Sequence, residues 1–148
     1  MRTPASIAGH PLHAMLIVFP VGLLVFSLFA DLMSLGVGNA AAWATVALYT
    51  MAGGFAMALV VAIPGLIDLL SLRNPATKRI AVIHMSLNLV AVALYALNLW
   101  LRTHGSGNTG TPLVLSVVSV AILAVSGWLG AEMVHVHGVG VEELGERR

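Results

Sequence analysis

The chain has 148 residues, of which 59% are hydrophobic and 9% charged, with net charge +1 and mean hydropathy +0.97. A water-soluble domain carries about a quarter charged residues, so this composition excludes a soluble globular protein and points to a bilayer. No basic run is interleaved with aromatics, which gives no surface for nucleic acid, and the absence of cysteine excludes disulfides, iron–sulfur clusters and thiolate metal sites.

Four apolar runs predict transmembrane helices at 12–34, 42–70, 80–102 and 112–134, each about long enough to cross ~30 Å of hydrocarbon. In lipid every peptide N–H and C=O needs a partner within the segment. None of the runs alternates polar with apolar residues as a barrel strand would. The first run is read as a retained span rather than a cleaved signal, because Arg2 is far from it and Leu28-Phe29-Ala30 lacks a small-x-small pattern. Pro11 suits the opening turn of that helix. Pro64-Gly65 predicts a bend in the second run, which ends at Arg73-Asn74-Pro75. His104 to Pro112 reads as a flexible polar loop, with Pro112 starting the last helix. No internal repeat is convincing. The fold class is therefore all-α, an integral membrane four-helix up-down-up-down bundle forming one domain.

Basic residues set the orientation. Arg2, Arg73, Lys78, Arg79, Arg147 and Arg148 fall on the side of the termini and of the 71–79 loop, and only Arg102 on the other. By the positive-inside rule both termini face the cytoplasm.

Antiparallel threading also gathers His10, His13, His84, His135 and His137 at the cytoplasmic end, together with Asp68, Glu132, Met85 and Met133. Helical spacing puts His84, Asn88, Tyr95 and Arg102 on one stripe, and His13, Pro20, Ser27 and Asp31 on another. Ser119, Ser126, Gly130 and His137 form a third. Such stripes face the bundle interior, since lipid leaves polar atoms unpaired. At the opposite end Asp31 can pair with Arg102.

GHPLHAMLIVFPVGLL (9–24), GLIDLL (65–70), the Arg79/His84/Asn88 series and GWLGAEMVHVHGVGV (127–141) resemble the bacterial membrane family called domain of unknown function 2231. The resemblance covers nearly the whole chain and implies a small, multi-pass, four-helix protein of the bacterial inner membrane. It also implies that His137 holds the shared position of the last block, with His135 standing where the family has an aromatic residue.

The sharpest chemical reading is one haem b held by His13 and His84 from different helices, with His137 or His10 as substitutes and Arg73, Lys78 or Arg79 meeting the propionates. Such a site serves redox or sensing. A bare metal is the second chemical reading, with His10, His13, His84, Asp68, Glu132 and His137 as an N/O ligand set, softened by Met85 or Met133. No nucleophile elbow, P-loop, dinucleotide fingerprint or HExxH motif is present, so a stand-alone enzyme is not expected. A different class of reading is a cofactor-free accessory subunit whose small-residue faces, Ser126/Gly130 and Gly53/Gly54, dock on other membrane proteins or on a second copy.

Overall fold

The computed structural model describes residues 3–36 and 38–141. Four helical segments long and apolar enough to cross a membrane cover Leu12–Gly36, Ala40–Ser71, Pro75–Ser106 and Thr111–His135. The elements in chain order are β1 (Ser6–Ile7), β2 (His10–Pro11), α1 (Leu12–Leu16), α2 (Val18–Gly36), α3 (Ala40–Ser71), α4 (Pro75–Leu101), a π-type turn at Arg102–Ser106, and α5 (Thr111–His135). Arg2, Arg147 and Arg148, three of the six residues behind the orientation argument, lie outside the described residues.

The N-terminal segment holds a small antiparallel pairing that the apolar pattern does not announce. Ser6 pairs with Pro11 and Ile7 with His10, and the turn between them has positive φ at both Ala8 (50°) and Gly9 (81°), as a tight two-residue hairpin turn requires. The first span is interrupted at Ile17, between α1 and α2. Its cause is Pro20, which has no N–H to give the Leu16 carbonyl one turn earlier. By contrast α3 runs unbroken through Pro64.

The 71–79 segment expected as a loop is much shorter. Asn74 caps α4 by accepting from the N–H groups of Ala76 (2.9 Å) and Thr77 (3.3 Å), and Pro75 opens the helix, an N-cap and first-turn proline in their preferred places. Lys78 and Arg79 therefore stand on helix.

Two hairpins make the bundle. α2 packs chiefly on α3 and α4 on α5, with slimmer contacts from α3 to α4 and from α2 to α5. Gly54 lets the first hairpin close: a Cβ there would stand 2.7 Å from Leu24 Cγ. Between the hairpins lies a core of Leu24, Met51 and Tyr95, flanked by Phe55, Leu99 and Leu123. A second cluster, Leu69, Leu72 and Ala81 with Met85, Met133 and Val139, closes the end that carries the termini. The outward faces are apolar, with Ile63, Leu70, Val114, Val125 and Trp128 exposed, as contact with hydrocarbon tails requires.

The hairpins repeat one pattern of contacts. His13 donates from Nδ1 to the Val61 carbonyl (3.1 Å) and lies against Gly65, one turn beyond Val61. His84 donates from Nδ1 to the Ser126 carbonyl (2.8 Å) and lies against Gly130, one turn beyond Ser126. Asp31 stands 18 residues after His13, and Arg102 stands 18 residues after His84. One turn before these charges, Ser27 donates to the Ala47 carbonyl (2.9 Å) and Asn98 to the Pro112 carbonyl (2.9 Å). Leu24 and Gly54 in the first hairpin correspond to Tyr95 and Ser119 in the second. The chain is thus built from two similarly directed two-helix units, a parallel internal repeat of contacts. No convincing internal repeat is read from the sequence; these matched contacts reveal one.

The repeat is not chemically even. Where Leu24 seats on Gly54, the second unit has Tyr95 Oη and Ser119 Oγ, both buried and without a hydrogen-bond partner among the described residues. Replacing both members of a polar contact, or removing an orphaned hydroxyl, is close to neutral or stabilising, whereas removing one partner of a buried bond costs about 1–3 kcal/mol. Tyr95→Phe is therefore expected to melt at or above the temperature of the parent, and Ser27→Ala below it. Thermal unfolding in detergent checks the pair; an equal drop for both would mean that a buried water serves Tyr95.

Candidate functional site: two imidazoles between the hairpins

His13 and His84 meet where the hairpins meet. Their ring centroids are 6.3 Å apart and their planes cross at 83°. Each ring is fixed by its own hairpin, through the carbonyl bond and the glycine seat described above. A carbonyl oxygen only accepts, so each Nδ1 carries a proton, and in the neutral ring Nε2 keeps a lone pair. Ser126 Oγ lies 3.0 Å from His84 Nδ1. Asn88, one turn along α4, donates from Nδ2 to His84 Nε2 (3.1 Å) and to the His84 carbonyl (3.0 Å). Val61 and Ser126 carbonyls can take these extra donors because an oxygen has two lone pairs.

The other residues singled out from the sequence are at the same end but not in one place. Asp68 accepts from the Ala5 N–H (3.0 Å) and so ties the N-terminal segment to α3. His137 hydrogen-bonds with Thr77 Oγ1 (3.2 Å), which fastens the C-terminal turn to the start of α4. His10 is exposed and bonds the Ala8 carbonyl (3.0 Å) within its own turn. Glu132 and the exposed His135 line an outward groove of about 470 Å³ with Trp128, Ala131 and Val136. Met85 and Met133 pack into the apolar cluster that closes this end. Among the described residues no three His, Asp or Glu side chains converge on a point that a metal ion could share. Lys78 and Arg79, expected at haem propionates, line a different outward groove. At five residues from His84, Arg79 lies about 140° round the helix from it.

At the opposite end the structure carries a second constellation. Arg102 pairs with Asp31 bidentately, Nη1 to Oδ1 and Nη2 to Oδ2, both at 2.7 Å. Its Nε donates to Asn98 Oδ1 (2.8 Å) and its Nη2 also to Ser116 Oγ (3.0 Å). Ser116 in turn donates to Asp31 Oδ2 (3.0 Å), and Asn98 Nδ2 donates to Ser116 Oγ (3.0 Å). All four residues are buried. The sequence placed Asp31 opposite Arg102 but did not bring in Asn98 and Ser116. Asn98 carries a readable signal, since it lies one turn from Arg102 on the same stripe.

These features define an all-α, membrane-type four-helix bundle with paired histidines at one end and a saturated ion pair at the other. Over residues 9–143 the chain matches the family described as predicted membrane protein (DUF2231), and it belongs to that family. Neither a curated protein nor a solved structure matches it.

Proposed function

We propose that the His13–His84 pair holds one haem b in a bacterial inner-membrane protein whose termini are cytoplasmic, for redox or sensing. The observation that carries this reading is the shared tautomer: two imidazoles from different hairpins, each with Nδ1–H committed to a backbone carbonyl, keep the Nε2 lone pair as the ligand atom, which in His84 accepts from Asn88 Nδ2. Backbone anchoring of the second ring nitrogen is what orients histidine ligands and raises their basicity. The two rings are neighbours, 6.3 Å apart between centroids, so His13 and His84 would be the residues to hold the iron. Bound there, haem supplies one-electron exchange at its iron. His13 and His84 would hold it through Nε2, and Asn88 would then give up its hydrogen bond to His84 Nε2. A bare ion has weaker support, because two imidazoles lack a third protein ligand beside them.

One contact favours the other class of reading, a cofactor-free subunit of a larger membrane assembly: Asn88 satisfies His84 Nε2 without any metal. An absorption spectrum separates the two. Full-length protein purified from cells supplied with haem precursor is expected to show a Soret band and iron, both lost in His13→Ala and His84→Ala and kept in His10→Ala. Folded, monodisperse protein that is colourless and iron-free under the same conditions would reject the haem reading in favour of the subunit.

A further inference from the structure

The cations freed from a role at the histidines lead to a separate site. Pro75, Lys78, Arg79, Val82 and Ile83 line an outward groove of about 650 Å³ on α4. Their spacing places them on one face of the helix, turned away from Thr77 and Ala81, which are buried in the bundle. Lys78 and Arg79 are exposed and have no ion-pair partner among the described residues. Asp31 is taken by Arg102 and Asp68 accepts from Ala5. Both cations stand in the first turns of α4, where the helix dipole adds further positive potential, and Asn74 already satisfies the N–H groups of Ala76 and Thr77. Among the described residues, then, no carboxylate pairs with either cation.

The groove changes character along its length. Val82 and Ile83, 43% and 44% exposed, form an apolar wall roughly 6 Å along the axis from the cations. An anion alone would use only the upper half. We infer that this groove binds an anionic phospholipid, the phosphodiester between Lys78 Nζ and the Arg79 guanidinium and an acyl chain along Val82 and Ile83. Arginine matches phosphate with its planar fork, and lysine adds a compact charge; basic recesses at the membrane surface recognise anionic headgroups by this chemistry.

The test uses the full chain in neutral detergent, titrated with phosphatidylglycerol, with phosphatidylcholine of the same acyl chains, or with inorganic phosphate, while the melting temperature is followed. Phosphatidylglycerol is expected to raise it in a saturable manner and the other two are not. Lys78→Gln/Arg79→Gln is expected to weaken the response about tenfold or more, as loss of about 1.4 kcal/mol does, and Arg73→Gln, exposed but outside the groove, to keep it. An equal response to phosphatidylcholine would overturn the proposal, as would saturation by phosphate alone or an unchanged response in the double variant. Because both substituted side chains are exposed, the double variant retains its fold, which its melting temperature without lipid verifies.

Discussion

Arg102→Met is expected to lower the unfolding free energy by about 3–5 kcal/mol, the cost of leaving a buried charge without its partner. Asp31 would keep only the Ser116 hydroxyl of its present side-chain donors, in a part of the bundle where it is fully buried. Asp31→Asn should cost nearly as much, since it leaves the guanidinium unpaired. The double variant Asp31→Leu/Arg102→Met is expected to recover most of the loss, because replacing both ions by apolar groups of similar size is often neutral. Reversible unfolding in mixed micelles measures all three. A double variant as unstable as the single ones would mean that packing, and not the orphaned charge, sets the cost.

Gly65→Ala carries the second large effect. A Cβ at this position would stand 2.7 Å from His13 Nδ1 and 3.0 Å from its Cε1, closer than non-bonded atoms approach. The ring must swing off the Val61 carbonyl, losing its hydrogen bond and its place beside His84. Overpacking of this kind costs about 1–3 kcal/mol. Gly130→Ala makes the equivalent change in the second hairpin, but its nearest approach is 3.3 Å, to His84 Cε1, and a small shift of that ring relieves it. The expected order is therefore a clear drop in melting temperature for Gly65→Ala and a smaller one for Gly130→Ala. Equal melting temperatures for Gly65→Ala and the parent would mean that His13 does not rest on this glycine.

The sequence disclosed the spans because four long apolar runs leave helices as the only structure that satisfies the backbone in lipid. It also disclosed the Asp31–Arg102 contact, since each charge falls on an inward stripe at the same depth. The internal repeat was hidden for a chemical reason. Its equivalent residues are mostly unlike: Asp31 against Arg102, Ser27 against Asn98, Leu24 against Tyr95, Gly54 against Ser119. Opposite charges and complementary shapes are what make two units fit each other, and they are also what erases sequence likeness between them. Only His13 with His84 and Gly65 with Gly130 survive as identities among the contact-making positions, and a constant spacing from histidine to charge was the available signal. The short α3–α4 connection was readable in Asn74-Pro75, an N-cap followed by a first-turn proline. The interruption at Ile17 was readable in Pro20. His10, Asp68, Glu132 and His137 could be placed at the right end but not at a common point, because depth along a helix follows from sequence while the final direction of a side chain depends on its neighbours.

The division into two hairpins has a consequence for biogenesis. Asp31 belongs to the unit synthesised first and Arg102 to the unit synthesised last, so the carboxylate enters the membrane well before its counter-ion exists. A lone charge within a span is costly, and that penalty is relieved when the later unit docks. The ion pair between Asp31 and Arg102 therefore joins the first span to the third, and it is complete only when both hairpins are in place.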